Sequence, residues 1–376
     1  MTPGIYIHIP FCRSKCNYCH FVSVPYSRAT SVRYEKALIK ELASFNPVSP
    51  ESEIDSVYFG GGTPSIVPAG YIAGLLETCR RRFRIAGDCE ISMEANPGTL
   101  SLEKLRILRN SGVNRVSLGA QTFNDRELMS IGRRHDSETI LKSLSRLREC
   151  GFTNVNLDLM LGLPGQTAET WRNTLRSVER LGIPHLSVYM LDLDDQCPLQ
   201  GMVASGSVQL PEEDLISDLY LETLEFLSGC GWAQYEISNF ARPGYACRHN
   251  LKYWQRKPVH GFGLGSHSFD GQTRCANVSG MDDYLDSMNS GKNPVHWREP
   301  VTREQTLSES IFLGLRLTRG VDWGQLQETY GRERLILYEP GMRELSQRAL
   351  IEWNDSAVRL TPSGMLLSNE VFQLFI

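Results

Sequence analysis

Along the first two-thirds of this 376-residue chain, apolar positions switch between a period of two and a period near four. Short β-rich runs recur at Ile5–Ile9, Ser56–Gly60, Glu90–Ala95, Arg115–Gln121, Val155–Leu161 and Leu186–Leu191, each followed by a helix-compatible stretch. Leu38, Leu42 and Phe45 stand at helical spacing and predict a helix over Ser31–Phe45, with Ser31 as its N-cap. A second helix, Leu102–Asn110, ends at Ser111-Gly112, where a glycine can close the last turn. Repeated strand–helix units imply an α/β protein with a parallel sheet, open or closed into a barrel.

From about Cys247 the rhythm fades into a loop-rich region containing Arg248-His249-Asn250-Leu251-Lys252-Tyr253-Trp254 and Gly261-Phe262-Gly263-Leu264-Gly265-Ser266-His267. After Thr302 helical spacing returns, through Leu307–Leu317, Trp323–Tyr330 and Arg334–Gln347. Leu350–Trp353 and Val358–Leu360, joined by a turn at Asn354-Asp355, read as a small hairpin before a last helix, Thr361–Leu374. Helices followed by a hairpin resemble a winged-helix unit. The expected division is therefore 1–245, a connecting region 246–302, and a smaller, mainly helical domain 303–376.

In parallel barrels, chemistry gathers at the C-terminal ends of the strands. Cys12 follows the first strand, Gly60-Gly61-Gly62-Thr63-Pro64 the second, Glu94-Ala95-Asn96-Pro97 the third, Gln121 the fourth and Gly162-Leu163-Pro164-Gly165 the fifth. Five successive polar or glycine-rich exits are not what core packing asks for. Cys12, Cys16 and Cys19 fall in one short loop, without the paired knuckles and fourth ligand of a structural zinc site. A four-iron cluster held by three cysteines keeps one iron open to an outside ligand, which is what reductive cleavage of S-adenosylmethionine (SAM) requires. The same loop contains Cys16-Asn17-Tyr18-Cys19-His20, a C-x-x-C-H signature of covalent c-type heme. That attachment normally takes place outside the cytoplasm, and Met1-Thr2-Pro3-Gly4 opens without a charged or long apolar leader, so the cluster reading leads.

Composition narrows the rest. With 41% hydrophobic and 22% charged residues the chain is ordinary for a globular protein. No apolar run approaches the roughly 20 residues that cross a bilayer, so any membrane contact is expected to be peripheral. A net charge of −4 argues against nucleic acid as a partner, and Arg80-Arg81-Arg82 and Arg133-Arg134 are short basic runs of the kind found on solvated faces. The seven cysteines outside the loop are scattered singly, the pattern of a reducing compartment, and a cytoplasmic location is expected.

Gly60-Gly61-Gly62 lets backbone approach a ligand but lacks the lysine and hydroxyl of a P-loop. Glu94 and Gln121 place a carboxylate and an amide where ribose hydroxyls can be held, though each alone also suits a solvated loop. Arg133 can clamp a carboxylate or lie on the surface. Asp158, in the apolar run Val155–Met160, is expected to be buried and paired. His249 and Tyr253 share a helix face beside Trp254, which suits either a heme contact or a satisfied histidine over aromatic rings. The Gly261/Gly263/Gly265 run does not open a helix after a strand, which excludes a dinucleotide fingerprint.

Together these residues resemble the radical SAM superfamily, in particular the branch containing oxygen-independent coproporphyrinogen III oxidase and the heme chaperone HemW. The likeness rests on Tyr6-Ile7-His8-Ile9-Pro10, the cysteine loop, Gly60–Pro64, Glu94–Pro97, Ser117–Phe123 and Asp158–Thr167 in that order. It implies a partial (βα)6 barrel with a smaller, winged-helix-like C-terminal domain. It implies Cys12, Cys16 and Cys19 as [4Fe-4S] ligands, and Gly61, Gly62 and Thr63 at the methionine end of SAM. Glu94 and Gln121 are then expected on the ribose, Arg133 on the SAM carboxylate, and Asp158 and Tyr6 near the cofactor. The oxidases carry a fourth cysteine two residues after the third and an N-terminal extension, whereas here that position is Phe21 and Cys12 lies almost at the start. His249-Asn250-x-x-Tyr253-Trp254 is similar to the H-N-x-x-Y-W signature of the chaperones. The resemblance thus implies binding of heme and its transfer to an acceptor hemoprotein such as a respiratory protein, with decarboxylation of coproporphyrinogen III as the alternative.

Overall fold

The computed structural model describes residues 2–46, 51–195, 197–354 and 356–376. Its centre is a parallel run of six strands: β1 (Gly4–Ile9), β2 (Glu53–Gly61), β3 (Arg84–Ala95), β4 (Arg115–Gln121), β5 (Asn154–Leu161) and β6 (His185–Met190). They pair in sequence order, each with the next. Helices α1 (Arg28–Ser44), α2 (Ala69–Arg82), α3 (Leu102–Asn110), α4 (Asp125–Ser130), α5 (Ser137–Glu149) and α6 (Ala168–Leu181) fill the crossovers. All six expected strands are present. The first helix begins earlier than its apolar spacing suggested: Ser27, not Ser31, caps it, accepting from the Thr30 amide.

Strand alternation sorts the side chains into two faces. On β1, Ile5, Ile7 and Ile9 are fully buried in the main core, while Tyr6 and His8 occupy the other face. The inner face is therefore polar and aromatic, and it is available for a site.

The stretch 246–302, expected to be loop-rich, carries considerably more structure. Helix α7 (Arg248–Trp254) leads into strands β7 (Val259–Phe262), β8 (His267–Phe269), β9 (Thr273–Asn277) and β10 (Val295–Pro300). β7 pairs parallel to β1, and β8 to β10 continue antiparallel, so this region extends the sheet on the β1 side. Its strands are short and interrupted by glycine, which is why periodicity alone did not reveal them. At the other end β6 is followed by two antiparallel strands, and the linear twelve-strand order leaves the sheet open, a partial barrel.

C-terminal to this, Arg303–Gly314, Trp323–Tyr330 and Glu339–Gln347 are helical, and Ile351–Trp353 pairs antiparallel with Ala357–Leu360, which also takes Val321–Asp322 as a partner. Of the expected turn at Asn354-Asp355, Asp355 lies outside the described residues. The last helix is two, Pro362–Leu366 and Ser368–Gln373, separated at Leu367.

Candidate functional site

The strand register lines up polar residues along the inner face. Glu94 pairs with Ser117, Ser117 with Asn156 and Asn156 with His185, and one step on, Gly119 pairs with Asp158 and Asp158 with Ser187. Asn156 Nδ2 donates to Ser117 Oγ at 2.7 Å, to Asp158 Oδ1 at 2.7 Å and to Ser187 Oγ at 3.0 Å. The Ser117 hydroxyl is 3.2 Å from both Asp158 oxygens. Asp158 is thus paired, as its apolar setting required. Burial pushes its carboxyl above the ordinary range, opposed by the Ser117 and Asn156 hydrogen bonds. Glu94 accepts from Tyr58 Oη at 2.9 Å and from the Gly61 amide at 3.2 Å. Burial and then the field of Asp158 raise Glu94 to about 7.

Above this floor lies a cavity of about 350 Å³. Cys12, Cys16, Cys19, Gly61, Gly62, Thr63, Glu94, Gln121, Arg133 and Asp158 all line it, so strand ends far apart in sequence converge on one space. All three cysteines are half-buried free thiols. The Cys12 thiol lies 3.5 Å from Thr63 Oγ1, and burial raises both Cys12 and Cys19. Tyr6 is placed differently from the expectation: it lies behind the cavity wall, bonded to His8 Nδ1 at 3.0 Å and stacked on Tyr58, which does line the cavity.

Arg133 is held from two sides. Its Nη1 donates to Asn96 Oδ1 at 2.8 Å and its Nη2 to Tyr18 Oη at 2.6 Å, while Nε is buried without a partner. Gln121 sits in the left-handed region with φ +69°, and its Oε1 is likewise buried and unpartnered. A strained residue with an orphaned acceptor beside an arginine with an orphaned donor, both lining one cavity, is the arrangement of a site that takes a polar ligand.

The glycines do two things at once. A Cβ on Gly61, whose φ is +113°, would stand 2.4 Å from the His8 ring, and one on Gly62 would stand 2.7 Å from the Pro10 carbonyl carbon. Close packing of β1, and of the Pro10-Phe11 backbone that leads into the cysteine loop, against the end of β2 therefore requires them, besides any backbone contact to a ligand.

His249 is not an open ligand. It is 1% exposed, its Nδ1 is 3.0 Å from Ser56 Oγ and its Nε2 3.2 Å from Tyr253 Oη. Its ring stacks on Tyr58 at 5.1 Å and on Tyr6 at 6.4 Å. Burial, then the charges of Lys252 and Arg115, depress it to about 3, so it is neutral. Glu90 fixes this helix end by accepting from the Arg248 and His249 amides. Tyr253, one turn further along α7, is 41% exposed, and Trp254 is half-buried beside it.

Sequence reasoning missed Tyr18, Asn96, Arg115, Ser117, Asn156 and Ser187, all of which line the same cavity. A signal was there: Arg115, Ser117 and Gly119, then Asn156 and Asp158, then Ser187, occupy alternate positions in otherwise apolar strands.

These residues form a cavity in which three thiols face a carboxylate, an amide and a guanidinium. The Radical SAM superfamily profile matches residues 6–178, and the HemN C-terminal domain profile matches 301–367. The heme chaperone HemW of Bacillus subtilis is 37% identical over 372 residues, covering 99% of this chain and 98% of that one. The chain belongs to the HemW family of radical SAM proteins. The bovine mitochondrial radical S-adenosyl methionine domain-containing protein 1 is 30% identical over 96% of this chain and 84% of its own. The solved coproporphyrinogen III oxidase HemN of Escherichia coli, a radical SAM enzyme, superposes with TM-score 0.86 at 25% identity, covering all of this chain and 90% of that one. In this HemW-family chain Phe21, the residue two after Cys19, is 59% exposed at the cavity rim.

Radical SAM proteins carry a [4Fe-4S] cluster and SAM. Among the described residues no three His, Cys, Asp or Glu side chains converge on a single metal ion. A cubane asks for something else, three thiolates spread over three irons around a shared space, and three half-buried thiols lining one cavity fit that.

Proposed function

We propose that this protein binds heme and passes it to an acceptor hemoprotein, with a SAM-bound cluster seated in the barrel. Cys12, Cys16 and Cys19 would hold the cluster, leaving its fourth iron for SAM, whose chemistry there is electron transfer to a sulfonium. Gly61, Gly62 and Thr63 lie where the methionine end would sit, Arg133 would take its carboxylate, and Glu94 and Gln121 the ribose hydroxyls. Asp158 and Tyr6 support them from below and behind. Within this reading the barrel unit 1–245 carries the cofactors, 246–302 the heme-facing side and 303–376 the smaller domain. A respiratory protein is a fitting acceptor, and the cytoplasm a fitting compartment. Among the described residues no helix is long and apolar enough to cross a membrane, and the proposal includes at most peripheral contact with one.

The observation that carries the reading is the near-complete match to heme chaperones together with Phe21 where the oxidase pattern has a cysteine. Hemin titration of the purified protein tests it: a shifted Soret band at stoichiometric hemin is expected, and no binding overturns it. The close superposition on HemN favours one second reading, decarboxylation of coproporphyrinogen III. Anaerobic incubation of reconstituted protein with SAM, reductant and coproporphyrinogen decides between them, since protoporphyrinogen formation would establish the enzyme.

A further inference from the structure

Tyr253 and Trp254 at the end of α7, with Val259, Phe269, Arg274 and Leu313, line another cavity of about 420 Å³, which His267 also borders. The pairing register sets His267 and Phe269 beside β7, whose Val259 faces Phe269. Resting on the heme-binding reading above, we infer that this groove is the heme seat and that His267, not His249, supplies the axial nitrogen.

Three observations carry this. The first is the imidazole. Both nitrogens of His249 are engaged in the interior, whereas His267 is exposed, makes no hydrogen bond through its ring among the described residues, and meets Trp297 edge-on at 5.9 Å. An imidazole with a free nitrogen at the mouth of an apolar slot is the usual protein ligand of heme iron.

The second is shape and polarity. Tyr253, Trp254, Val259, Phe269 and Leu313 give aromatic and aliphatic walls suited to a flat macrocycle, and Tyr253 and Trp297 leave 41% and 37% of their surface to solvent. The third is charge. Arg256, Lys257 and Arg274 surround the groove, and Arg256 and Arg274 each lie over the Phe269 ring. One carboxylate, Glu309, takes a nitrogen from each arginine at 2.8 Å. Arg256 Nη2 remains buried without a partner, as does Trp254 Nε1, and among the described residues no carboxylate forms an ion pair with the Lys257 ammonium. Among the described residues lining the groove, three cations and no carboxylate, with an orphaned guanidinium nitrogen, suit the two propionates of heme.

His249 then has a different task. It ties Tyr253 Oη to the interior stack and so holds one wall of the groove, which makes it a positioning residue.

The test is hemin titration of the full chain with visible and EPR spectra. His267→Ala should weaken hemin by about tenfold or more and change the ferric ligand-field signature. Imidazole added to His267→Gly should restore that signature. His249→Phe should keep the ligand-field signature while lowering affinity. Hemin dimethyl ester should bind wild type more weakly than hemin, and Lys257→Glu should narrow that difference; these readouts stand even if a His267 variant fails to fold. Wild-type binding with an unchanged spectrum and affinity in His267→Ala, loss of the signature in His249→Phe alone, or equal binding of ester and free acid would overturn the site while leaving heme binding intact. No binding by wild type would instead remove the reading on which it rests.

Discussion

Arg133 Nη2 donates to Tyr18 Oη at 2.6 Å, joining the cysteine loop to the segment after α4 across 115 residues of sequence. The guanidinium also lies against the Tyr18 ring, 5.8 Å from its centroid. A hydrogen bond to a charged group contributes about 1.5–3 kcal/mol, here spent on aiming Arg133 and the loop together. Tyr18→Phe is expected to weaken SAM by about tenfold in equilibrium dialysis of anaerobically reconstituted protein. Unaltered affinity would mean that Asn96 alone orients Arg133.

The cysteines divide into two classes by position. Cys16→Ala should abolish iron and sulfide retention after reconstitution, because Cys16 lines the cavity with Cys12 and Cys19. Cys230→Ala, at the C-terminal end of helix Glu213–Gly229 and outside the cavity, should retain both. Iron and sulfide content measures the difference, and equal loss in the two variants would refute the assignment.

Glu94 gives the apo fold a pH dependence. Its folded value, about 7, stands above the ordinary 4.5, so the folded state holds the proton more tightly than the unfolded chain. The associated stability is complete below about pH 4.5 and is lost as the pH rises through 7. A shift of this size corresponds to roughly 3 kcal/mol. Glu94→Gln should therefore be more stable than wild type at pH 8 and lose that advantage at pH 5, read from urea midpoints of apo protein. Parallel curves for the two proteins would exclude Glu94 as the titrating group.

Gly61 tests the packing argument. Alanine there meets the His8 ring and an unfavourable φ together, at a cost of about 2–5 kcal/mol. Gly87, whose added Cβ would meet nothing within 4 Å, should accept alanine within about 0.5 kcal/mol. Thermal unfolding of the two variants compares them directly. A Gly61→Ala protein melting like wild type would show that the His8 ring on β1 can move aside.

The strands and the cluster loop were legible because their signals are local: Ile5, Ile7 and Ile9 alternate, and three cysteines share one loop. Glu94 and Gln121 stand at strand ends, and the fold brings both, with Arg133 from the segment after α4, to line one cavity. What could not be read was depth. Nothing in the spacing of His249 and Tyr253 distinguishes a buried ring with both nitrogens occupied from an exposed one, because the partner that decides it, Ser56, is 193 residues away. Tyr6 suffered the same ambiguity, being inward-facing but screened by Tyr58. The strands β7 to β10 escaped notice because each is at most six residues long and one ends against Gly263.

The rings of Tyr58, His249 and Tyr253 run in series, the first lining the barrel cavity and the last lining the outer groove. Whatever fills one compartment therefore bears on a partition that the other compartment also owns. Linkage then runs both ways: a factor by which SAM alters affinity for the outer ligand is the factor by which that ligand alters affinity for SAM. A factor other than one would make loading of the barrel readable from outside it, without the two ligands ever meeting.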